Sequence, residues 1–170
     1  MDIISHILIG RIISLKNEKK VRSWAMFFSF LPDVTQIPFF IYLGYINSRL
    51  FFYPKIIDWQ GARELYPILT IIYEIPHSFF FLIFIILPIV IFLKLPKISI
   101  FAYFLHLFVD VFTHAKGEWV MKPFFPFNFS INGFCDVWVW PMYLIFLFWA
   151  VFLTIIICYD KFVNKNRRSA

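Results

Sequence analysis

Apolar residues come in long runs along this chain, and the few polar breaks between the runs set the expected elements. Residues 3–15 (IISHILIGRIISL) read as a short apolar helix. Crossing a bilayer takes about 20 residues, so this segment is expected to be interfacial or re-entrant. Trp24 to Ile46 is apolar but interrupted by Leu31-Pro32-Asp33 and again by Pro38. Proline lacks a backbone donor and pushes the residue before it out of the α region. Two half-helices are predicted here, with the break at Leu31-Pro32-Asp33. Residues 47–65 are a more polar loop. Tyr66 to Leu93 is the longest apolar run and can span with tilt. Lys94-Leu95-Pro96-Lys97 reads as a tight turn, Ile98 to Thr113 as the next helix, and residues 115–136 as an aromatic and polar loop. Val137 to Tyr159 carries no charged residue and is the clearest span. The pattern predicts an all-α integral-membrane bundle of about four spanning helices plus the short N-terminal helix. A single domain covers residues 1–160, and residues 161–170 form a basic tail.

Composition narrows the class. The chain has 170 residues, 61% of them hydrophobic and 15% charged. A soluble domain is about 45–50% apolar and about 25% charged. A water-exposed polar skin cannot be built from this inventory, which excludes a soluble enzyme, a disordered chain and a fibrous rod. Asp2 leads the chain, and Lys16, Lys19, Lys20 and Arg22 follow the first apolar run. That order is the reverse of a cleavable signal. The net charge of +6 points to anionic lipid headgroups rather than nucleic acid. With four spans, the N-terminal basic group, Lys94, Lys97 and the tail share one side. Arg49, Lys55, Arg63, Lys116 and Lys122 share the other. The first side is the more basic, which predicts that both termini are cytoplasmic in a prokaryotic inner membrane. Cys135 and Cys158 are separated by roughly 30 Å of helix and are expected to stay free.

Ionisable residues inside apolar runs are costly in lipid and by default face a functional interior. Each His here has an acid nearby: Asp2 with His6, Glu74 with His77, and Asp110 between His106 and His114, while Asp33 occupies the broken helix. His106, Asp110 and His114 follow i, i+4, i+8 and share one helix face. Imidazole and carboxylate together suit zinc, iron, manganese or nickel. One helix face supplies two or three ligands, and His6, Asp33 and His77 are available to complete the shell. Plainer roles stand beside these. His106 and Asp110 would serve as a buried hydrogen-bonded pair, His6 as an interfacial residue, Asp33 as an N-cap, and Glu74 as a headgroup-level acid. Pro76 is expected to kink its helix and turn His77 inward. Ser78 fits an interhelical hydrogen bond, and Lys116 and Lys122 fit snorkelling cations.

Four segments carry a family resemblance. Met1-Asp2-Ile3-Ile4-Ser5-His6, with Gly10 following, matches a Met-Asp-x-x-Ser/Thr-His start. Leu31-Pro32-Asp33 matches a Leu-Pro-Asp motif. Tyr73 to Ser78 is similar to Tyr-x-x-Thr-His-Ser, with Pro76 in place of Thr. His106 to His114 is similar to His-x-x-x-Asp-x-x-Thr-His, followed by Pro123-Phe124-Phe125-Pro126 and Asn132-Gly133. In these the chain resembles the bacterial and archaeal membrane-bound metal-dependent hydrolases. The resemblance implies an integral-membrane hydrolase acting through a divalent ion, zinc first, on a phosphoester or ester bond of a lipid or lipid-linked substrate. Its metal ligands would be drawn from His6, Asp33, His77, His106, Asp110 and His114, with Asp33 or Glu74 as the proton acceptor. The rival readings are a non-catalytic membrane protein with a structural metal or polar site, and a metal-ion or proton transporter.

Overall fold

The computed structural model describes residues 2–50, 56–59, 61–114 and 120–168. Lys55, Lys116 and the side chain of Arg63, expected on the less basic side, lie outside the described residues. So do the side chains of the tail beyond Val163. The helices are α1 (Ile3–Ile13), α2 (Lys19–Val34), α3 (Ile37–Ile46), the single turn α4 (Ala62–Leu65), α5 (Pro67–Glu74), α6 (Phe79–Phe92), α7 (Ile98–Thr113) and α8 (Met142–Arg168). Among the described residues the only β pairing is an isolated bridge between Met121 and Ile131.

Two stretches are long and apolar enough to cross a bilayer, Lys19–Ile46 and Met142–Val163. A third is reached if α5 and α6, bent by 53° at their junction, count as one span. Among the described residues, two of the four expected spans, or up to three, are long and apolar enough. The shortfall comes from α7, whose 16 residues rise about 24 Å, less than the roughly 30 Å hydrocarbon core. The Tyr66–Leu93 run is likewise two helices rather than one, because Pro76 has no N–H to continue the ladder.

The break in the first span falls later than the sequence suggests. Pro32 lies inside α2, which continues through Asp33 to Val34. The chain turns at Thr35 and Gln36, where Gln36 N bonds the Asp33 carbonyl at 3.0 Å in a tightened turn. Pro32 removes one hydrogen bond, and a helix end buried among other helices tolerates that loss. Asp33 is consequently not the cap of the next helix; Gln36 occupies that position.

The core is built where α2, α6 and α7 meet, from Ala25, Phe28, Leu82, Ile86, Val90, Ala102, Tyr103 and Leu107. Helix α1 lies directly on α2, and Gly10 permits the approach. A Cβ there would stand 2.9 Å from the Ala25 carbonyl oxygen and collide with the Ser29 side chain. Asp2 caps α1 by accepting from Ser5 N at 2.9 Å, and it also takes the Ser5 hydroxyl at 2.5 Å.

Helix α8 attaches to α1 at two points. Trp149 Nε1 donates to Ser5 Oγ at 2.9 Å, and Asp160 pairs with Arg11 at 2.7 Å and with Arg22 at 3.6 Å. Much of the expected polar tail is the last part of this helix. Beyond the end of α3, Arg49 is held by Asp58 through two bonds of 2.8 and 2.5 Å. These bonds raise the guanidinium pKa above its ordinary value. Cys135 and Cys158 are both free, as expected.

Candidate metal centre

Three helices bring polar side chains to one buried point. His6 comes from the first turn of α1, Asp33 from the last turn of α2, and His106 and Asp110 from successive turns of α7. One ligand-type atom from each of these four lies within 4.8 Å of the others, so the group can hold a metal ion. All four are at most 3% exposed. His77, from the break between α5 and α6, joins from another side. Its Nε2 is 3.5 Å from Asp33 Oδ1 and 3.9 Å from Asp110 Oδ2.

Backbone carbonyls aim the imidazoles. His106 Nδ1 is 2.7 Å from the carbonyl oxygen of Ser29 on α2. That carbonyl lies in the turn loosened by Pro32. His77 Nδ1 is 2.7 Å from the carbonyl of Tyr73, in the last turn of α5. The final carbonyls of a helix have no intrahelical donor, so this ring serves as a side-chain cap. A carbonyl can only accept, so Nδ1 carries the hydrogen in both rings. In the neutral imidazole, Nε2 then presents its lone pair to the centre.

The result is a set of acceptors facing acceptors. His106 Nε2 lies 3.2 Å from Asp110 Oδ2 and 3.8 Å from Asp33 Oδ1. Among the described residues, Asp33 Oδ2, His77 Nε2 and His106 Nε2 find no hydrogen-bond partner. An unsatisfied buried polar atom costs about 1–3 kcal/mol, and a buried charge costs more. One divalent cation between Asp33 Oδ1 and Asp110 Oδ2 relieves His77 Nε2 and His106 Nε2 together. Ligand bonds of about 2.0–2.1 Å give tetrahedral edges of about 3.3–3.4 Å. The four imidazole–carboxylate separations, 3.2, 3.5, 3.8 and 3.9 Å, bracket that edge. The fixed tautomers also match the outer-shell arrangement of metal-binding His residues.

The other expected site residues fall elsewhere. His114 caps α7, with Nδ1 at 3.0 Å from the Asp110 carbonyl. That nitrogen is 3.9 Å from Asp110 Oδ1, and His114 is outside the four-residue group. Glu74 does not join the group either. Its carboxylate is paired with Lys122 at 3.1 Å, so Lys122 is an ion-pair partner rather than a free snorkelling cation. Asp2, read beside His6 as a site acid, is the α1 cap.

The segment after α7 braces the break that carries His77. Phe79 N bonds the Pro123 carbonyl at 2.8 Å, and the Ser78 hydroxyl donates to the Phe125 carbonyl at 2.9 Å. Gly133 lets this segment close against the end of α7, where a Cβ would stand 2.6 Å from the Phe112 carbonyl oxygen. Three contributors are not marked by the motifs. The Tyr103 hydroxyl donates to the Pro76 carbonyl at 2.5 Å. Tyr103, His106 and Asp110 follow i, i+3, i+7, so a helical-face reading extended by one turn would have found it. The Ser29 and Tyr73 carbonyls are main-chain atoms, which side-chain identity does not mark.

No family model matches the chain, and neither a curated protein nor a solved structure matches it.

Proposed function

We propose that this chain is a membrane-embedded, metal-dependent hydrolase of the kind its four motifs resemble. Its substrate would be a lipid or lipid-linked molecule with a phosphoester or ester bond. The observation that carries the reading is the convergence of His6, His77, His106, Asp33 and Asp110 from separate segments, with two of the rings locked by carbonyls so that Nε2 faces the carboxylates. A bound divalent ion, zinc first, would supply Lewis-acid polarisation and an acidified water. His6, Asp33, His106 and Asp110 would hold it, with His77 beside them. Glu74 has no part in this version of the chemistry because Lys122 engages its carboxylate.

Location supports the substrate class. Two to three helices are long and apolar enough to span. The exposed Lys16, Lys19, Lys20, Lys94 and Lys97 flank the apolar helices, and Asp160 ties the far end of α8 to Arg11 and Arg22. That basic end would face the cytoplasm of a prokaryotic cell, with the α8 C-terminus inside.

A second reading has its own observation. All five ligand side chains are nearly inaccessible, which also suits a structural ion that joins α1, α2 and α7. The two readings separate in one experiment. The protein is purified in detergent, its metal content is measured, and cleavage of phosphoester and ester lipids is assayed for the native chain, His106→Ala and Asp110→Ala. The hydrolase reading expects bound metal, measurable cleavage, and a loss of more than about 100-fold in both variants, beyond what outer-shell changes cause. Bound metal without cleavage of any lipid tested leaves the structural ion standing. Unchanged cleavage in both variants overturns the hydrolase mechanism.

A further inference from the structure

The two carboxylates at the centre are used on both edges. Asp110 Oδ2 faces His106 at 3.2 Å and His77 at 3.9 Å, while its Oδ1 faces His6 at 3.1 Å. Asp33 repeats the division. Its Oδ1 faces His77 at 3.5 Å and His106 at 3.8 Å, and its Oδ2 faces His6 at 3.9 Å. A single ion would draw on one edge of each carboxylate and leave the other edges directed at His6.

From this division we infer that the centre holds two cations, bridged by Asp33 and Asp110. The inference rests on the reading of the cluster as a metal centre and adds a second position to it. The first position has four protein ligands: His77, His106, Asp33 Oδ1 and Asp110 Oδ2. Four protein ligands close a tetrahedral shell, as in structural sites. The second position has three: His6 Nε2, Asp33 Oδ2 and Asp110 Oδ1. Three protein ligands leave a position open for water or substrate, as in catalytic sites. Two ions sharing bridging ligands stand about 3.5–4 Å apart in two-metal hydrolytic sites, where they clamp the attacking and leaving oxygens of a phosphoester. The pairing therefore selects the phosphoester among the candidate substrate bonds. It also gives His6 a distinct place. Its ring lies against that of His106, with centroids 3.8 Å apart, yet it addresses only the opposite carboxylate edges.

The test uses the full-length protein in detergent, saturated with Mn2+ and freed of unbound metal by gel filtration. Metal per chain and the electron paramagnetic resonance spectrum are then recorded. Two ions per chain with the broadened spectrum of an exchange-coupled pair are expected. His6→Ala should halve the bound metal and restore the sharp hyperfine pattern of isolated Mn2+. One ion per chain in the native protein, or two ions without coupling, overturns the shared-carboxylate pair and leaves the metal-centre reading intact. No bound metal overturns both. If His6→Ala fails to fold, the native stoichiometry and spectrum still decide.

Discussion

The inner helices α1, α2 and α7 and the outer helix α8 face opposite solvation problems. The inner three surround charged and polar atoms that lipid would reject. They approach so closely that Gly10 has no room for a side chain against α2. Helix α8 is apolar around its circumference, with Phe146, Leu147, Leu153 and Ile157 all about half exposed or more. Lipid tails are as apolar as these side chains, so no hydrophobic force presses α8 onto the bundle. Its position depends on specific polar links, Trp149 to Ser5 and Asp160 to Arg11. The buried polar cluster sits in one part of the molecule, and a helix long and apolar enough to cross a bilayer forms another.

Removing the ion should expose that contrast most strongly. An ion held at 100 times its dissociation constant contributes about 2.7 kcal/mol of folded-state stability. Chelation is therefore expected to lower Tm by about 5–10 °C in a chain of this size. A thermal scan in detergent with and without chelator measures it, and an unchanged Tm would mean that the inner cluster needs no cation. Next comes helix approach. Gly10→Val should separate α1 from α2 and cost about 1–3 kcal/mol through overpacking. Because His6 rides on α1, metal affinity should fall in the same variant, as measured by competition with a chelating dye. A stability loss with unchanged affinity would separate the packing of α1 from its role at the centre. Smaller again is the outer helix. Trp149→Phe should cost about 1 kcal/mol, the worth of one hydrogen bond, while Leu147→Ala should stay within about 0.5 kcal/mol. Denaturant titrations compare them, and a larger effect at Leu147 would mean that this face meets protein rather than lipid.

Much of this was legible in the residues, and the misses have physical causes. The pattern gave α7 its bounds because Lys97 and His114 bracket a mostly apolar stretch free of proline and glycine, and spacing alone placed His106 and Asp110 on one face. Asp33 and His77 stood out as polar groups in apolar surroundings, and Pro76 was rightly expected to turn His77 inward. Pro32 misled because a proline in the last turns of a helix can be carried at the loss of its own hydrogen bond, and the chain continued for two residues before turning. Glu74 stands outside the four-residue group. Its partner Lys122 lies far along the chain, and sequence spacing does not report such pairings. The fourth expected span, α7, matches a spanning helix in composition but falls short of one in length.

The anchoring of His77 and His106 limits what could replace them. Each ring gives a hydrogen to a main-chain oxygen from one edge and offers an electron pair from the opposite edge. Cysteine and the carboxylates can bind metals but have no N–H on a far side, and asparagine and glutamine carry a donor but bind metals weakly. Imidazole alone meets both demands, so even exchange for another good ligand would release a main-chain carbonyl while it rebuilt the shell. These two positions should admit fewer alternatives than Asp33 or Asp110, where a second carboxylate of different length keeps the chemistry and changes only the reach.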